Sequence, residues 1–289
     1  MRSVDDFYDY ELIDATMGER LERWGDIILI RPDPQIIWDY PKRDKRWKSP
    51  HAIYHRSQSG GGYWEKLKNV PDFWSIKYRD LTFNLKPMGF KHTGLFPEQA
   101  VNWNLMRDVI RKSPKKLNVL NLFAYTGGAT VACLKSGASV THVDASKGMV
   151  GWAKENATLS GVADRSVRWL VDDCLKFVER EIRRNRKYDG VVMDPPSYGR
   201  GPGGEVWKLE QHIGELLNAV SQILSDDAKF FIFNSYTAGL SPSVLNYMVK
   251  NTVLKNKNAV VHTDEIGLAV TQRDIILPCG NTTVWLADC

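Results

Sequence analysis

Leu117-Asn118-Val119-Leu120-Asn121-Leu122-Phe123-Ala124-Tyr125-Thr126-Gly127-Gly128 is an apolar run of strand length that breaks into a glycine pair ahead of a helical pattern. Glycines at such a junction let the backbone pass close beneath a ligand, and the helix start offers free amides. The same alternation continues outward. Strand-like runs near 117–123, 139–143, 166–170, 188–193 and 228–234 are separated by helical patterns near 128–136, 147–160, 173–186 and 206–224. A further helix is expected over 241–255, with Ser241 as cap and Pro242 in its first turn. Late strands near 258–267 and 281–287 complete the set. This order predicts an α/β fold, a doubly wound, Rossmann-like sheet of seven strands.

The first ninety or so residues read differently. Tryptophans, turns such as Gly60-Gly61-Gly62 and short β-prone runs predict a small β-rich module. Leu29-Ile30, Phe73-Trp74-Ser75-Ile76-Lys77-Tyr78 and Leu81-Thr82-Phe83-Asn84-Leu85 are its strands, the last two joined by Arg79-Asp80. The boundary is placed at Lys91 to Phe96, giving a module over 1–92 and an α/β domain over 93–289.

Composition bounds the function. With 289 residues and 43% hydrophobic content the chain supports a large core. No window approaches the roughly 18–20 uninterrupted apolar residues of a membrane span, and the first residues have no apolar signal core, so a cytoplasmic location is the default. Cys133, Cys174, Cys279 and Cys289 are scattered without metal-ligand spacing. They read as reduced thiols, with no disulfide framework and no metal. A net charge of +5 is compatible with a polyanionic partner.

The chemistry concentrates at strand tips. Val191-Val192-Met193 stops on Asp194-Pro195-Pro196-Ser197-Tyr198, where two prolines force a stiff, extended turn and fix a carboxylate and a carbonyl at the sheet edge. In open parallel sheets ligands bind at that edge. About 20 residues after the glycine turn, the second strand ends at His142-Val143-Asp144, an acid placed to bind a ribose; the alternative for Asp144 is an N-cap of the next helix. The glycine pattern is not GxGxxG, which argues against a nicotinamide dinucleotide. A turn without a full pyrophosphate cradle suits a cofactor with ribose and adenine but no phosphates, S-adenosylmethionine. The third strand ends at Val171-Asp172-Asp173-Cys174, which adds an acid at the same edge. A helix N-terminal acid is the alternative there.

Leu120 to Gly128, Val143-Asp144-Ala145-Ser146, Asn156, Asp172-Asp173 and Asp194-Pro195-Pro196-Ser197 together resemble the class I S-adenosylmethionine-dependent methyltransferases. More narrowly, they resemble the bacterial ribosomal-RNA large-subunit group that includes cytosine-carbon-5 enzymes. The resemblance covers roughly residues 91 to 289. It implies that Phe123, Ala124, Tyr125, Thr126 and Gly127 hold the methionine part of the cofactor. Asp144, with Ala145 and Ser146, would hold the ribose, and Asp173, with Cys174, the adenine; Asn156 belongs to the same cofactor set. Thr93-Gly94-Leu95-Phe96-Pro97-Glu98-Gln99 is similar to the family's opening segment, which usually reads Asp-Gln-Arg. Only Gln99 matches it, and the resemblance adds Gln99 to the cofactor set.

One departure bears on mechanism. Carbon-5 methylation needs a thiolate nucleophile, and the related enzymes carry that cysteine after strand five. Here the segment is Phe233-Asn234-Ser235-Tyr236-Thr237, with Ser235 in its place. Cys279 is the other thiol in an expected loop, and it reads as structural. If the acceptor is an exocyclic amine or similar nitrogen, Asp194, Pro195, Pro196 and Ser197 form the catalytic turn. Asp194 and the Pro195 carbonyl then orient the nitrogen by accepting its hydrogen bonds, and Tyr198 is placed to stack on a base. Lys42-Arg43-Asp44-Lys45-Arg46-Trp47-Lys48, followed by His51 and Arg56, has the make-up of a phosphate-neutralising and base-stacking stretch, with a solvated basic loop as the commoner alternative. Arg183-Arg184-Asn185-Arg186-Lys187 reads as a basic helix end. The expectation is a methyltransferase acting on RNA, ribosomal RNA above all, with the 1–92 module helping to hold substrate. A small-molecule or protein methyltransferase, and a non-catalytic RNA-binding protein of the same fold, are the alternatives.

Overall fold

The computed structural model describes residues 1–57, 61–255 and 259–287. Gly60 of the expected glycine turn, residue 258 at the start of a late strand, and Cys289 lie outside the described residues. Two compact units divide the chain, residues 1–100 with 267–279, and residues 101–266 with 280–289.

The first unit is built on an antiparallel meander of β1 (Tyr10–Thr16), β2 (Glu19–Trp24) and β3 (Ile27–Pro32). β4 (Ala52–Arg56) joins β3 in parallel, β5 (Gly62–Lys66) returns antiparallel to β4, and β6 (Trp74–Tyr78) pairs with β7 (Leu81–Leu85) in a separate hairpin. Strand alternation sends Ile13, Leu21, Ile28 and Ile30 to one cluster around Trp47. A buried acid, Glu22, accepts two bonds from Arg31 at 2.6 and 2.7 Å and one from the Tyr10 hydroxyl at 2.8 Å. Those three bonds offset the cost of removing both charges from water.

The Lys42–Lys48 stretch lacks the exposed stacking aromatic that its composition suggests, while Arg43, Lys45 and Lys48 are exposed. Trp47 is buried, its indole donating to Asp14 at 2.9 Å. Arg46 pairs with Asp44 at 2.8 Å, and Lys42 pairs with Glu19 while lying 4.2 Å above the Trp47 ring. The aromatic needed for stacking is a core side chain, and two of the cations are already neutralised.

The second unit begins one residue into α1 (Ala100–Lys112), then alternates β8 (Asn118–Leu122), α2 (Gly128–Lys135), β9 (Ser139–Asp144), α3 (Lys147–Leu159), β10 (Val167–Val171), α4 (Cys174–Arg183) and β11 (Gly190–Met193). A short hairpin of β12 (Tyr198–Arg200) and β13 (Val206–Lys208) follows, then α5 (Leu209–Ile223), β14 (Phe230–Ser235), α6 (Pro242–Asn251), β15 (Val261–Val270) and β16 (Ile275–Leu286). The strands lie in the order β10-β9-β8-β11-β14-β16-β15. β8, β9, β10, β11 and β14 are parallel, and β16 runs antiparallel to β14. This is the doubly wound α/β fold expected, and its strand order reverses at β8. β15 and β16 each contribute residues to both units.

Three local features differ from the sequence reading. α1 was not expected; Asn102 and Asn104 weaken its helical pattern, and it follows directly on a 3-10 turn over Pro97–Gln99. The helix expected from residue 206 starts at Leu209, because Val206-Trp207-Lys208 is the second strand of the hairpin. Ser241 sits at the N-cap of α6 but makes no capping bond, and Pro242 opens the helix by its fixed φ.

Candidate active site

Parallel pairing brings the carboxyl ends of β8, β9, β10, β11 and β14 to one edge. Across it, Leu122 pairs with Val143 and with Met193, and Met193 pairs with Phe233. The next residues in each strand or turn, Phe123, Asp144, Asp194 and Asn234, therefore line the same edge.

The turn after β8 is tightly constrained. Phe123, Tyr125 and Gly127 all have left-handed φ, at 54°, 51° and 83°. That conformation is costly for the two aromatic residues and is held by surrounding bonds. The Phe123 amide donates to Cys174 Sγ at 3.4 Å, the Ala124 amide to the Val143 carbonyl at 3.0 Å, and the Tyr125 amide to Asp144 Oδ2 at 2.8 Å. From below, the buried Asn156 donates to the Thr126 carbonyl at 2.8 Å. A Cβ at Gly127 would stand 2.8 Å from Ala153 Cβ, and one at Gly128 would stand 2.7 Å from the Trp103 ring. Both glycines are required by close packing, in addition to the positive φ at Gly127.

Asp144 accepts from Tyr125 N through one oxygen and from Ser146 N through the other, each at 2.8 Å. Burial raises its carboxyl above the ordinary aspartate value, against those two hydrogen bonds. Asp144 is not the N-cap of α3. Ser146 fills that role, its hydroxyl accepting from Met149 N. Ala145 lies between them, half-buried.

At the third tip, Asp173 caps α4 by accepting from Lys176 N at 3.0 Å. Asp172 pairs with Arg180 on the same helix, and its amide donates to the Asp144 carbonyl at 3.0 Å. Cys174 is buried behind the glycine turn, and burial raises its thiol well above the usual range. Gln99 closes a 3-10 turn over Pro97–Gln99 in the first unit.

At the tip of β11, Asp194 is half-buried, Pro195 buried, and Pro196 and Ser197 exposed. The Trp207 indole donates to the Pro196 carbonyl at 2.7 Å, and Ser197 Oγ bonds Thr237 Oγ1 at 2.7 Å. The Trp207 ring also packs on Phe123, centroid to centroid 5.0 Å. Trp207 was not singled out from the sequence. The available signal was the turn-forming run Gly201-Pro202-Gly203-Gly204 between two short β-prone segments.

The other described thiols are buried. Burial pushes Cys133 up to about 12 and raises Cys279 strongly, and Cys279 lies inside β16 rather than in a loop. Ser235, where the resemblance expects a cysteine, is buried and its hydroxyl accepts from Thr237 N at 3.3 Å. The Arg183–Lys187 run is also more than a helix end. Arg184 and Arg186, with Arg168, converge on the buried Glu181.

A family model described as S-adenosylmethionine-dependent methyltransferase matches residues 51–237. The chain belongs to the S-adenosylmethionine-dependent methyltransferases. A methyltransferase of the same description from Agrobacterium tumefaciens is 33% identical, with 97% of this chain and 91% of that chain covered and a TM-score of 0.93. A Streptococcus mutans structure at 18% identity, covering 98% of this chain and 76% of that one with a TM-score of 0.74, shares the fold. Among curated relatives, a ribosomal RNA large subunit methyltransferase K/L of Shewanella frigidimarina is 34% identical over 242 residues, 81% of this chain and 32% of that protein. The methyltransferase thus spans about a third of the length of that relative.

The cofactor is S-adenosylmethionine, and the donor set of the site fits it. Each Asp144 oxygen has spent one lone-pair position on an amide and keeps another for a hydroxyl, which matches the paired hydroxyls of a ribose. Among the described residues no group of His, Cys, Asp and Glu is arranged to hold a metal ion, and no helix is long and apolar enough to cross a membrane.

Proposed function

We propose that this methyltransferase modifies a base nitrogen in RNA, with ribosomal RNA as the substrate and the cytoplasm as the place of action. The observation that carries the reading is the pairing of an Asp-Pro-Pro turn at the β11 tip with the absence of an ionisable thiol among the described residues. Cys133, Cys174 and Cys279 are buried with raised thiol values, so none supplies the thiolate that carbon-5 chemistry requires. The curated relatives support the substrate class.

When bound, S-adenosylmethionine supplies an electrophilic methyl group. Asp144 holds the ribose, the Phe123–Gly127 turn holds the methionine part, and Asp173 and Cys174 flank the adenine. Asn156 acts through Thr126 by fixing the turn from beneath. At the acceptor side, the Asp194 carboxylate and the Pro195 carbonyl accept hydrogen bonds from the nitrogen to be methylated, which aims its lone pair for in-line attack. Pro196 makes the turn stiff, and its carbonyl is already committed to Trp207. Ser197, tied to Thr237, closes the turn onto the segment after β14. Residues 93–289 carry the chemistry, and the β-rich module over 1–92 helps to hold the substrate. Gln99 stands at the start of the catalytic part.

Methyl transfer from labelled cofactor into ribosomal RNA, followed by mass spectrometry of the digested nucleosides, tests the reading. A nitrogen-methylated base is the expected product. A carbon-5-methylated pyrimidine would overturn the acceptor chemistry, and absence of transfer to any RNA would overturn the substrate class.

A further inference from the structure

The hairpin that follows the Asp194-Pro195-Pro196-Ser197 turn has two unlike faces. Its register places Tyr198 opposite Lys208, Gly199 opposite Trp207, and Arg200 opposite Val206. Alternation then sends Gly199 and Trp207 inward and the other four outward. Trp207 is 7% exposed, whereas Tyr198 is 53% exposed and Arg200, Val206 and Lys208 are all exposed.

The inward face fixes the element. Trp207 bonds Pro196 and packs on Phe123, and the Leu209 amide donates to the Ser197 carbonyl at 3.0 Å. At the far end Glu205 accepts from Gly203 N at 2.9 Å and pairs with Lys176 of α4 at 2.5 Å. The hairpin is thus held at base, middle and tip, so its outward face is presented in a set orientation.

The outward face carries one aromatic ring and two cations, and no acid. Among the described residues neither Arg200 nor Lys208 has a carboxylate partner, in contrast to Lys176, whose charge is spent on Glu205. Cations left without partners release counterions when they meet phosphates, and an exposed ring beside them offers a stacking platform. Tyr198 follows directly on the proposed acceptor turn, so whatever lies on this face is continuous with the acceptor.

We propose that the outward face of the β12–β13 hairpin docks the single-stranded RNA that flanks the methylated base, with Arg200 and Lys208 on phosphates and Tyr198 stacked on a neighbouring base. This rests on RNA being the substrate.

Fluorescence anisotropy with a labelled single-stranded RNA of about ten nucleotides, read between roughly 50 and 200 mM salt, tests it. Arg200→Ala/Lys208→Ala is expected to flatten the slope of log affinity against log salt by about 1.4, because each lost phosphate contact removes about 0.7. Tyr198→Ala should weaken binding roughly tenfold with little change in slope. Arg111→Ala/Lys112→Ala at the end of α1 removes the same charge elsewhere and should leave the slope unaltered. Calorimetric binding of S-adenosylmethionine serves as the folding control, and the milder Arg200→Gln and Lys208→Gln variants, each expected to lose about 0.7, replace the double variant if it fails that control. RNA binding by wild type with an unchanged slope in the hairpin variants overturns the docking surface and leaves the substrate reading intact. No RNA binding by wild type overturns the substrate reading, and the docking surface with it.

Discussion

The indole nitrogen of Trp207 donates to the Pro196 carbonyl at 2.7 Å while its ring rests on Phe123. One side chain therefore braces the proposed acceptor turn after β11 against the proposed cofactor turn after β8. Trp207→Phe keeps most of the ring and deletes the donor, leaving a carbonyl without its partner. A loss of that kind costs about 1–3 kcal/mol. We expect kcat to fall roughly tenfold with the KM for S-adenosylmethionine little changed, read from steady-state methyl-transfer kinetics. An unaltered kcat would show that the brace has no part in placing the acceptor.

Asp144 joins two turns through its two oxygens. Asp144→Ala removes both acceptors along with the site proposed for the ribose, so S-adenosylmethionine affinity should drop at least tenfold by isothermal titration. Asp144→Asn keeps one acceptor oxygen and should fall between the alanine variant and wild type. Equal affinity in all three proteins would remove Asp144 from the cofactor set.

Gly127 combines a positive φ with a Cβ-sized gap closed by Ala153. Gly127→Ala is expected to lower stability by about 2 kcal/mol through both effects. Ala153→Gly alone should cost about 1 kcal/mol as a helix-interior glycine. The double variant removes the clash and retains the backbone cost, so denaturant unfolding should show the two changes to be less than additive.

His142 predicts a pH dependence. Thr130 Oγ1 accepts from Asn121 at 2.9 Å and shares a second hydrogen bond with His142 Nδ1 at 2.9 Å, while His142 Nε2 is buried without a partner among the described residues. Burial lowers the His142 value to about 3, and burial likewise lowers His92 to about 4. The unfolded chain binds these protons first, near pH 6.5. Stability is therefore complete above that value and is lost as pH falls toward 4 and then 3, by up to about 1.4 kcal/mol per pH unit for each proton. Chemical denaturation from pH 7 to pH 5 should show this slope, and His142→Phe should be less stable throughout but flatter in pH.

The thiols give a negative prediction. Iodoacetamide at pH 7 should leave Cys133, Cys174 and Cys279 unlabelled in the folded enzyme, and Cys279→Ala should retain methyl transfer. Rapid alkylation of Cys279 by mass spectrometry, with loss of activity, would reinstate a thiol mechanism.

The α/β alternation was legible because each buried parallel strand is a short apolar run punctuated by a turn, and the periodicity changes from one element to the next. The Asp144 and Asp194 tips were legible for the same reason. Asp173 shows where reading stops: an acid at a helix start is equally a cap, and the structure gives its side chain that bond. Trp47 misled because an aromatic among cations has the composition of a stacking site, while its burial depends on strands far away in sequence. Trp207 was missed because a three-residue strand beside a helix lacks enough repeats to reveal its period.

The first unit draws residues 267–279 from the far end of the chain, and Leu12 of β1 takes Val270 of β15 as its parallel neighbour. Its sheet is therefore unfinished until the segment around Val270 has been made, although its other strands are translated before that segment. An isolated 1–100 fragment would carry β1 as a bare edge, open to pairing with other chains. The β-rich unit waits on a segment translated after the strands of the α/β sheet from β8 to β14, so its closure follows theirs in the order of synthesis.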